Sequence, residues 1–213
     1  KRIQRAVITS DTYISEYVKD YFIYYQPKDI VSGDFYWALH ANNKFYLATA
    51  DCTGHGVPGA FMSLLNISIF NEVLIEKKIA RADLILNEAR KDIIKSLNQT
   101  GSEESKDGMD CILACFDFAN LKLEYAAANN SFYIIRNNEL VICKPDKMPV
   151  GKSPKDAEPF TLQTIDLQKG DTVYMLTDGL PDQFGGPKGK KYKYKQLEDL
   201  LLTCNSKPLA EQK

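Results

Sequence analysis

Much of what this 213-residue chain lacks bears directly on function. It has no marked charge of either sign: 27 Lys and Arg stand against 28 Asp and Glu, a net charge of −1 at pH 7. That balance leaves no electrostatic footprint for nucleic acid or for an anionic membrane surface. No stretch comes near the roughly 18 uninterrupted apolar residues of a membrane span, so no membrane contact is expected. No signal peptide opens the chain. The five cysteines are odd in number and include no Cys-x-x-Cys pair, which suits reduced thiols in a cytoplasmic protein. Internal repeats, low-complexity tracts and evident domain boundaries are missing too. Lys1 is no initiator methionine and Gln212-Lys213 carries no stop signal, so the expectation is a domain of a longer protein.

What is present describes an ordinary globule. Hydrophobic residues make up 44% and charged residues 26%. A chain of this length folds as one domain and buries roughly 70% of its unfolded surface.

The informative stretch is Ala48-Thr49-Ala50-Asp51-Cys52-Thr53-Gly54-His55-Gly56-Val57-Pro58-Gly59-Ala60. The run from Phe45 reads as a buried strand that ends on the Asp51 carboxylate. A glycine-rich turn follows, and Pro58 opens a helix, where its missing N–H costs nothing. Two further acids share this setting: Asp34 in Ser32-Gly33-Asp34-Phe35-Tyr36, and Asp178 in Met175-Leu176-Thr177-Asp178-Gly179. Each lies beside glycine and an apolar run. Three such acids suggest a carboxylate cage for hard divalent cations.

On these stretches the chain resembles the PPM-type metal-dependent serine/threonine protein phosphatases, in their bacterial SpoIIE-type (RsbU-like) branch. The matching segments are Val31-Ser32-Gly33-Asp34-Phe35-Tyr36-Trp37, Asp51-Cys52-Thr53-Gly54-His55-Gly56-Val57-Pro58 and Thr177-Asp178-Gly179-Leu180. The resemblance runs from about Tyr21 to Leu202. It implies an α+β fold, a layered β-sandwich flanked by helices, and two Mn²⁺ or Mg²⁺ ions that activate water against a phosphomonoester. It makes Asp51 the carboxylate bridging both ions, the Cys52 backbone carbonyl and Asp178 direct ligands, and Asp34 a ligand through water. It implies a phosphorylated protein substrate, a STAS-class anti-sigma-factor antagonist, and an upstream sensor domain. Residues 1–20 then read as the tail of a linker helix, and 21–213 as the phosphatase domain.

Several residues stay open between roles. His55 is either a general acid for the leaving oxygen or a residue fixing the glycine loop. It stands two residues further from the bridging Asp than the histidine of protein phosphatase 2C. Asp110 either binds a further metal or orients a water, or it simply starts a strand. Asp182 lies in the outer shell of Asp178 or caps a turn. Lys188, Lys190 and Lys191 form either a patch for an acidic partner or a solvated loop. Ala126-Ala127-Ala128-Asn129-Asn130 resembles the family's small-residue strand end, with no chemistry assigned. His40 is placed at the surface, and Cys111 and Cys115 in the core.

Two departures from the family pattern stand out. No Asp-Asp strand follows Leu202, so the final strand and its metal ligand are expected to be missing. No arginine near Asp34 is available to grip phosphate. The rival reading is a catalytically inactive pseudophosphatase that binds a partner. A two-metal nuclease is disfavoured by the lack of a basic stripe.

The spacing predicts strands at Tyr21–Tyr25, Ile30–His40, Phe45–Ala50, Met109–Phe118, Lys122–Ala128, Phe132–Arg136, Glu139–Cys143, Phe160–Ile165 and Thr172–Thr177. Helices are expected at Pro58–Lys77, Arg81–Leu97 and Lys195–Thr203. In the first, Phe61, Leu64, Leu65, Ile69 and Val73 form the apolar face. In the second, Leu84, Ile85, Ala89, Ile93 and Ile94 do. Asn98–Gly108 reads as a flap, and 185–191 as a loop.

Overall fold

The computed structural model describes residues 1–98, 106–187 and 189–213. Most of the expected flap, and Lys188, therefore lie outside the described residues. Two short helices come first, α1 (Arg2–Val7) and α2 (Asp11–Tyr17), where one helix tail was expected. The Ser10 hydroxyl caps α2 by accepting the Tyr13 N–H. Both helices dock on the fold, burying Gln4, Ile8 and Ile14.

Strands β1 (Phe35–Ala41) and β2 (Lys44–Cys52) form the expected hairpin. Asn42 and Asn43 take left-handed φ values of 52° and 58°, as a tight two-residue turn requires. Helix α3 (Gly56–Asn71) follows and continues into a π-helical turn, Glu72–Glu76. Then come α4 (Ala82–Leu97), β3 (Gly108–Asp117), β4 (Lys122–Ala128), β5 (Phe132–Arg136) and β6 (Glu139–Cys143). The short strands β7 (Val150–Gly151), β8 (Gln163–Asp166) and β9 (Thr172–Tyr174) lead to a small ribbon, β10 (Phe184–Gly185) with β11 (Lys190–Lys191). Helices α5 (Tyr194–Cys204) and α6 (Leu209–Gln212) close the chain.

The larger sheet runs β1-β2-β3-β4-β8, with β7 paired to the start of β3; the smaller runs β6-β5-β9. All their strand pairs are antiparallel. Period-two alternation separates two cores. Phe35, Trp37, Tyr46, Ala48, Ala50, Cys111 and Leu113 face α3 and α4. Ala38, Phe45, Ile112, Ala114, Phe116, Ala127, Phe132 and Ile134 fill the space between the sheets. Leu197 and Leu201 of α5 cover the outer side of the smaller sheet at Tyr133, Ile135 and Tyr174. The result is the expected layered α+β sandwich, helices outside and two sheets within.

Several element expectations need correction. Tyr21–Tyr25 forms no strand. Its side chains are used singly as wedges, Tyr21 and Ile23 toward the space between the sheets, Phe22 toward α5 and Tyr25 toward the α3 side. The strand expected from Ile30 begins only at Phe35, that from Phe160 begins at Gln163, and that from Thr172 stops at Tyr174. The 185–191 loop is partly paired, in the β10–β11 ribbon.

The apolar face expected for the α3 segment holds only in part: Leu65, Ile69 and Val73 pack into the core and Phe61 does not. Phe61 is 67% exposed, whereas Gly59, Ala60, Met62, Ser63, Asn66, Ile67 and Phe70 are buried with Ile69 and Val73. A helix apolar nearly all round gives no periodic clue to its inner face, and small residues let this one lie close to the sheet. In α4, Leu84 is exposed while Ile85, Ala89 and Ile93 are buried. Gly56–Glu76 is, by length and composition alone, apolar enough to cross a membrane, which counting uninterrupted runs did not reveal. More than half of it is buried inside this domain.

Candidate metal centre

Strand register builds the site. Phe35 pairs with Ala50, so Asp34 arrives opposite Asp51. On the other side Asp51 pairs with Asp110, and Cys52 with Met109. Ala38, Phe45 and Ile112, at even spacing from these three acids and so on the same face, point between the sheets. Alternation therefore sends Asp34, Asp51 and Asp110 toward one end of the inter-sheet space. Asn129, just past β4, joins them, its Nδ2 donating to Asp110 Oδ1 at 2.8 Å.

The fourth acid comes from far along the chain. Because β9 ends at Tyr174, Thr177 and Asp178 lie in the loop beyond it. The Thr177 hydroxyl donates to Asp34 Oδ2 at 2.7 Å, across 143 residues of sequence. The Asp34 backbone is held as well: its N–H donates to Ser32 Oγ, and its carbonyl accepts from the Tyr25 hydroxyl.

The loop after Asp51 is fixed by close backbone packing. A Cβ on Gly59 would stand 2.5 Å from the Gly54 carbonyl oxygen and 3.1 Å from Gly33 Cα. A Cβ on Gly33 would stand 2.8 Å from the Gly54 oxygen and 3.0 Å from the Cys52 oxygen. Only glycine permits this approach. Gly54 itself takes φ 91°. Thr53 ties the loop to β3, its N–H donating to the Gly108 carbonyl at 2.9 Å and its hydroxyl accepting from the Gly108 N–H. Beneath it the Cys52 sulfur accepts from Asn66 Nδ2 of α3 at 3.2 Å. Burial pushes that thiol up to about 12, so Cys52 keeps a protonated sulfur in the core.

The electrostatics are those of crowded carboxylates. Burial, then Asp34, then Asp178 push Asp51 far above the usual carboxylate range, to about 8. Asp178 is raised by burial and by the Asp182 charge. Asp110 is raised by burial, against the Asn129 bond and Lys147. A cation relieves this repulsion. The donors are oxygens, the preference of Mg²⁺ and Mn²⁺, so the residues fit the implied ions by chemistry. Among the described residues no group of three or more His, Cys, Asp or Glu side chains is arranged so as to hold a metal ion. An open cleft of about 410 Å³ lies against Asp51, Cys52, Gly54, His55, Asp110 and Pro149.

Other residues singled out from the sequence fall outside this cluster. His55 sits at the cleft mouth, its side chain 96% exposed and its Nδ1 3.7 Å from Asp29 Oδ2. It makes no capping bond to α3, so the loop-fixing role gains no support. Asp182 is paired with Lys191 at 2.6 Å, which takes Lys191 out of any free basic patch; Lys190 is exposed. His40 stacks on Tyr17, and Cys111 and Cys115 are buried as expected. Thr177 and Asn129 both stand in stretches that the sequence marks out, but nothing in the sequence assigns them these bonds to Asp34 and Asp110.

The family model of stage II sporulation protein E (SpoIIE) matches residues 41–213. No curated protein matches the chain. Among solved structures, the SiaA PP2C domain of Pseudomonas aeruginosa is similar at 28% identity and TM-score 0.87, over 99% of this chain and 82% of that one. The RsbU and RsbW domains of Rv1364c from Mycobacterium tuberculosis align at 18% identity and TM-score 0.68, over 88% of this chain and 50% of that one. The phosphatase domain of Bacillus subtilis SpoIIE with a fragment of its regulatory domain aligns at 21% identity and TM-score 0.57, over 74% and 44%. This chain thus spans half or less of the latter two, and they speak for the fold alone.

Proposed function

The chain belongs to the SpoIIE family of PP2C-type phosphatase domains, and from that premise we propose that it is a metal-dependent phosphatase acting on phosphoserine or phosphothreonine in a protein. One observation carries the reading: Asp34, Asp51 and Asp178, from three separate stretches of the chain, come together at one end of the sandwich, where the Asp34 and Asp178 carboxylates add to burial in raising the proton affinity of Asp51. Two hard divalent cations, Mn²⁺ or Mg²⁺, supply when bound the neutralisation of phosphoryl charge and an acidified water. Asp51, Asp178 and the Cys52 carbonyl are the residues to hold them, with Asp34 and Asp110 at the edge of the set. Thr177 keeps Asp34 turned toward its neighbours. The Gly33–Gly54–Gly59 packing fixes the carbonyl and leaves the cleft open to a phosphorylated side chain. His55, at the mouth, is the proposed proton donor to the leaving oxygen.

The proposed substrate is a phosphorylated signalling protein of the STAS class, with residues 1–20 linking to an upstream sensor. The test is turnover of p-nitrophenyl phosphate and of a phosphoserine peptide with Mn²⁺, with Mg²⁺ and in EDTA. Metal-dependent release of phosphate is expected. Full activity in EDTA after exhaustive dialysis rejects the metal reading, and no turnover under any metal favours the partner-binding pseudophosphatase.

A further inference from the structure

We infer that Gln4, on the first helix, is a positioning residue for the acid cluster. The residue is 5% exposed, and its amide bonds to two distant segments at once. Nε2 donates to the Ser32 carbonyl at 2.6 Å and to the Ser63 hydroxyl of α3 at 2.8 Å. Oε1 accepts the Ser32 N–H at 3.2 Å. One side chain thus grips the Ser32 backbone from both sides, as a neighbouring strand would, while bonding to α3. Only an amide carries donor and acceptor in that arrangement.

What it grips decides the consequence. Ser32 Oγ accepts the Asp34 N–H, so the clasp sets where Asp34 begins. Gly33, between them, packs on the carbonyls of Cys52 and Gly54, so the clasp also sets the wall of the Cys52 carbonyl. Ser63 passes its own hydrogen to the Ala60 carbonyl, in the turn of α3 that carries Gly59 against Gly54. A shift of Gln4 therefore reaches Asp34 through Ser32, and Cys52 through Gly33 and Gly59. Gln4 precedes the segment matched by the family model. Its role rests on the proposed metal-dependent reading of the site, to which it adds a residue acting through others, without touching substrate or metal.

The test uses the full chain, Mn²⁺ as the probe, calorimetric binding as the main readout, and thermal melts in EDTA as the control. Gln4→Leu keeps the volume close and removes all three bonds. The dissociation constant for Mn²⁺ is expected to rise about tenfold or more, the usual size for residues that orient metal ligands. At saturating Mn²⁺, kcat stays within about twofold of the parent, because the clasp positions the ligands and takes no part in the reaction. Ser63→Ala removes one of the three Gln4 bonds, together with the Ser63 bond to the Ala60 carbonyl, and raises the constant about threefold. If Gln4→Leu does not fold, Ser63→Ala decides by the same measure. A lowered melting temperature with unchanged Mn²⁺ affinity makes Gln4 a purely structural residue and overturns the inference. A parent protein that binds neither Mn²⁺ nor Mg²⁺ overturns the metal reading itself, which separates the two failures.

Discussion

Gly59→Ala sets two strong tendencies against each other. Gly59 lies in the first turns of α3, where alanine is the better helix former by about 1 kcal/mol. On propensity alone the substitution stabilises. But its Cβ would stand 2.5 Å from the Gly54 oxygen and 3.0 Å from the Gly54 carbonyl carbon, where ordinary contact begins near 3.4 Å. The neighbours are backbone, so no side chain can swing aside, and the loop or the helix must yield by roughly 0.9 Å. Forcing a methyl into a packed site costs about 1–3 kcal/mol, which outweighs the propensity gain. The displaced segment follows Cys52 directly, and metal–oxygen distances tolerate only about 0.2 Å. The expected result is a fold destabilised by about 0–2 kcal/mol in EDTA and Mn²⁺ affinity reduced by at least tenfold. Urea unfolding and Mn²⁺ calorimetry measure the two separately. A Gly59→Ala protein that is more stable and binds Mn²⁺ like the parent would refute the claim that backbone contact with α3 holds the carbonyl in place.

Further outcomes follow from the same geometry. Asp51→Asn is expected to lower kcat by about two orders of magnitude or more, while the metal-free protein at pH 8 melts no lower than the parent, because a repelled carboxylate has become neutral. Activity within a few-fold of the parent would deny Asp51 its bridging place. Thr177→Val removes the hydroxyl that donates to Asp34 at 2.7 Å; it should cost about 1–2 kcal/mol in urea and raise the Mn²⁺ needed for half-maximal activity, and an unchanged midpoint in both assays counts against that bond. Since Asp51 keeps a proton up to about pH 8, Mn²⁺ must displace it, and binding affinity should climb from pH 6 to 8 and level off above, with proton release seen in calorimetry across buffers. For folding without metal the sign is opposite: the folded state binds that proton more tightly, so this contribution to stability is whole below the ordinary carboxylate range and fades as pH rises to about 8. Melts in EDTA that show no such slope difference between the parent and Asp51→Asn would remove the electrostatic account.

The acids could be read from sequence because each ends or begins an apolar run beside a glycine, and the strands that carry them follow a strict period of two. Once Phe45–Ala50 and Met109–Phe118 are recognised as neighbouring strands, alternation does the rest, and Asp51 meets Asp110 by register. Asp178 was visible for the same local reason, but its nearness to Asp34 depends on a contact spanning 143 residues, which no local pattern encodes. The face of α3 was lost where the pattern fails. Its apolar residues surround the helix, so Phe61 looked like a core residue, and the smaller Ala60 and Ser63 took the inward positions. Tyr21–Tyr25 reads as a strand because aromatic residues favour strands, yet Tyr21, Phe22 and Tyr25 pack against three different clusters, Tyr24 is exposed, and no partner strand pairs with the backbone.

The glycines carry the more general point. In the sequence they mark turns, and Gly54 and Gly56 do take left-handed φ values. Gly33 and Gly59 serve another purpose, the removal of Cβ atoms where three backbone segments meet. That requirement belongs to pairs of residues distant in the chain, and one sequence does not display it. The same holds for Gln4, which looked like a polar residue in a mixed-polarity leader and is instead the amide joining α1, Ser32 and α3. The ligands themselves are thus written locally, while their positions are written in contacts among the N-terminal helix, the loop before β1 and the first turns of α3. A cation bound here reports on all three at once. On the proposed reading, whatever moves α1 or the start of α3 changes metal affinity by shifting the Cys52 carbonyl, whose position the Gly33 and Gly59 contacts set.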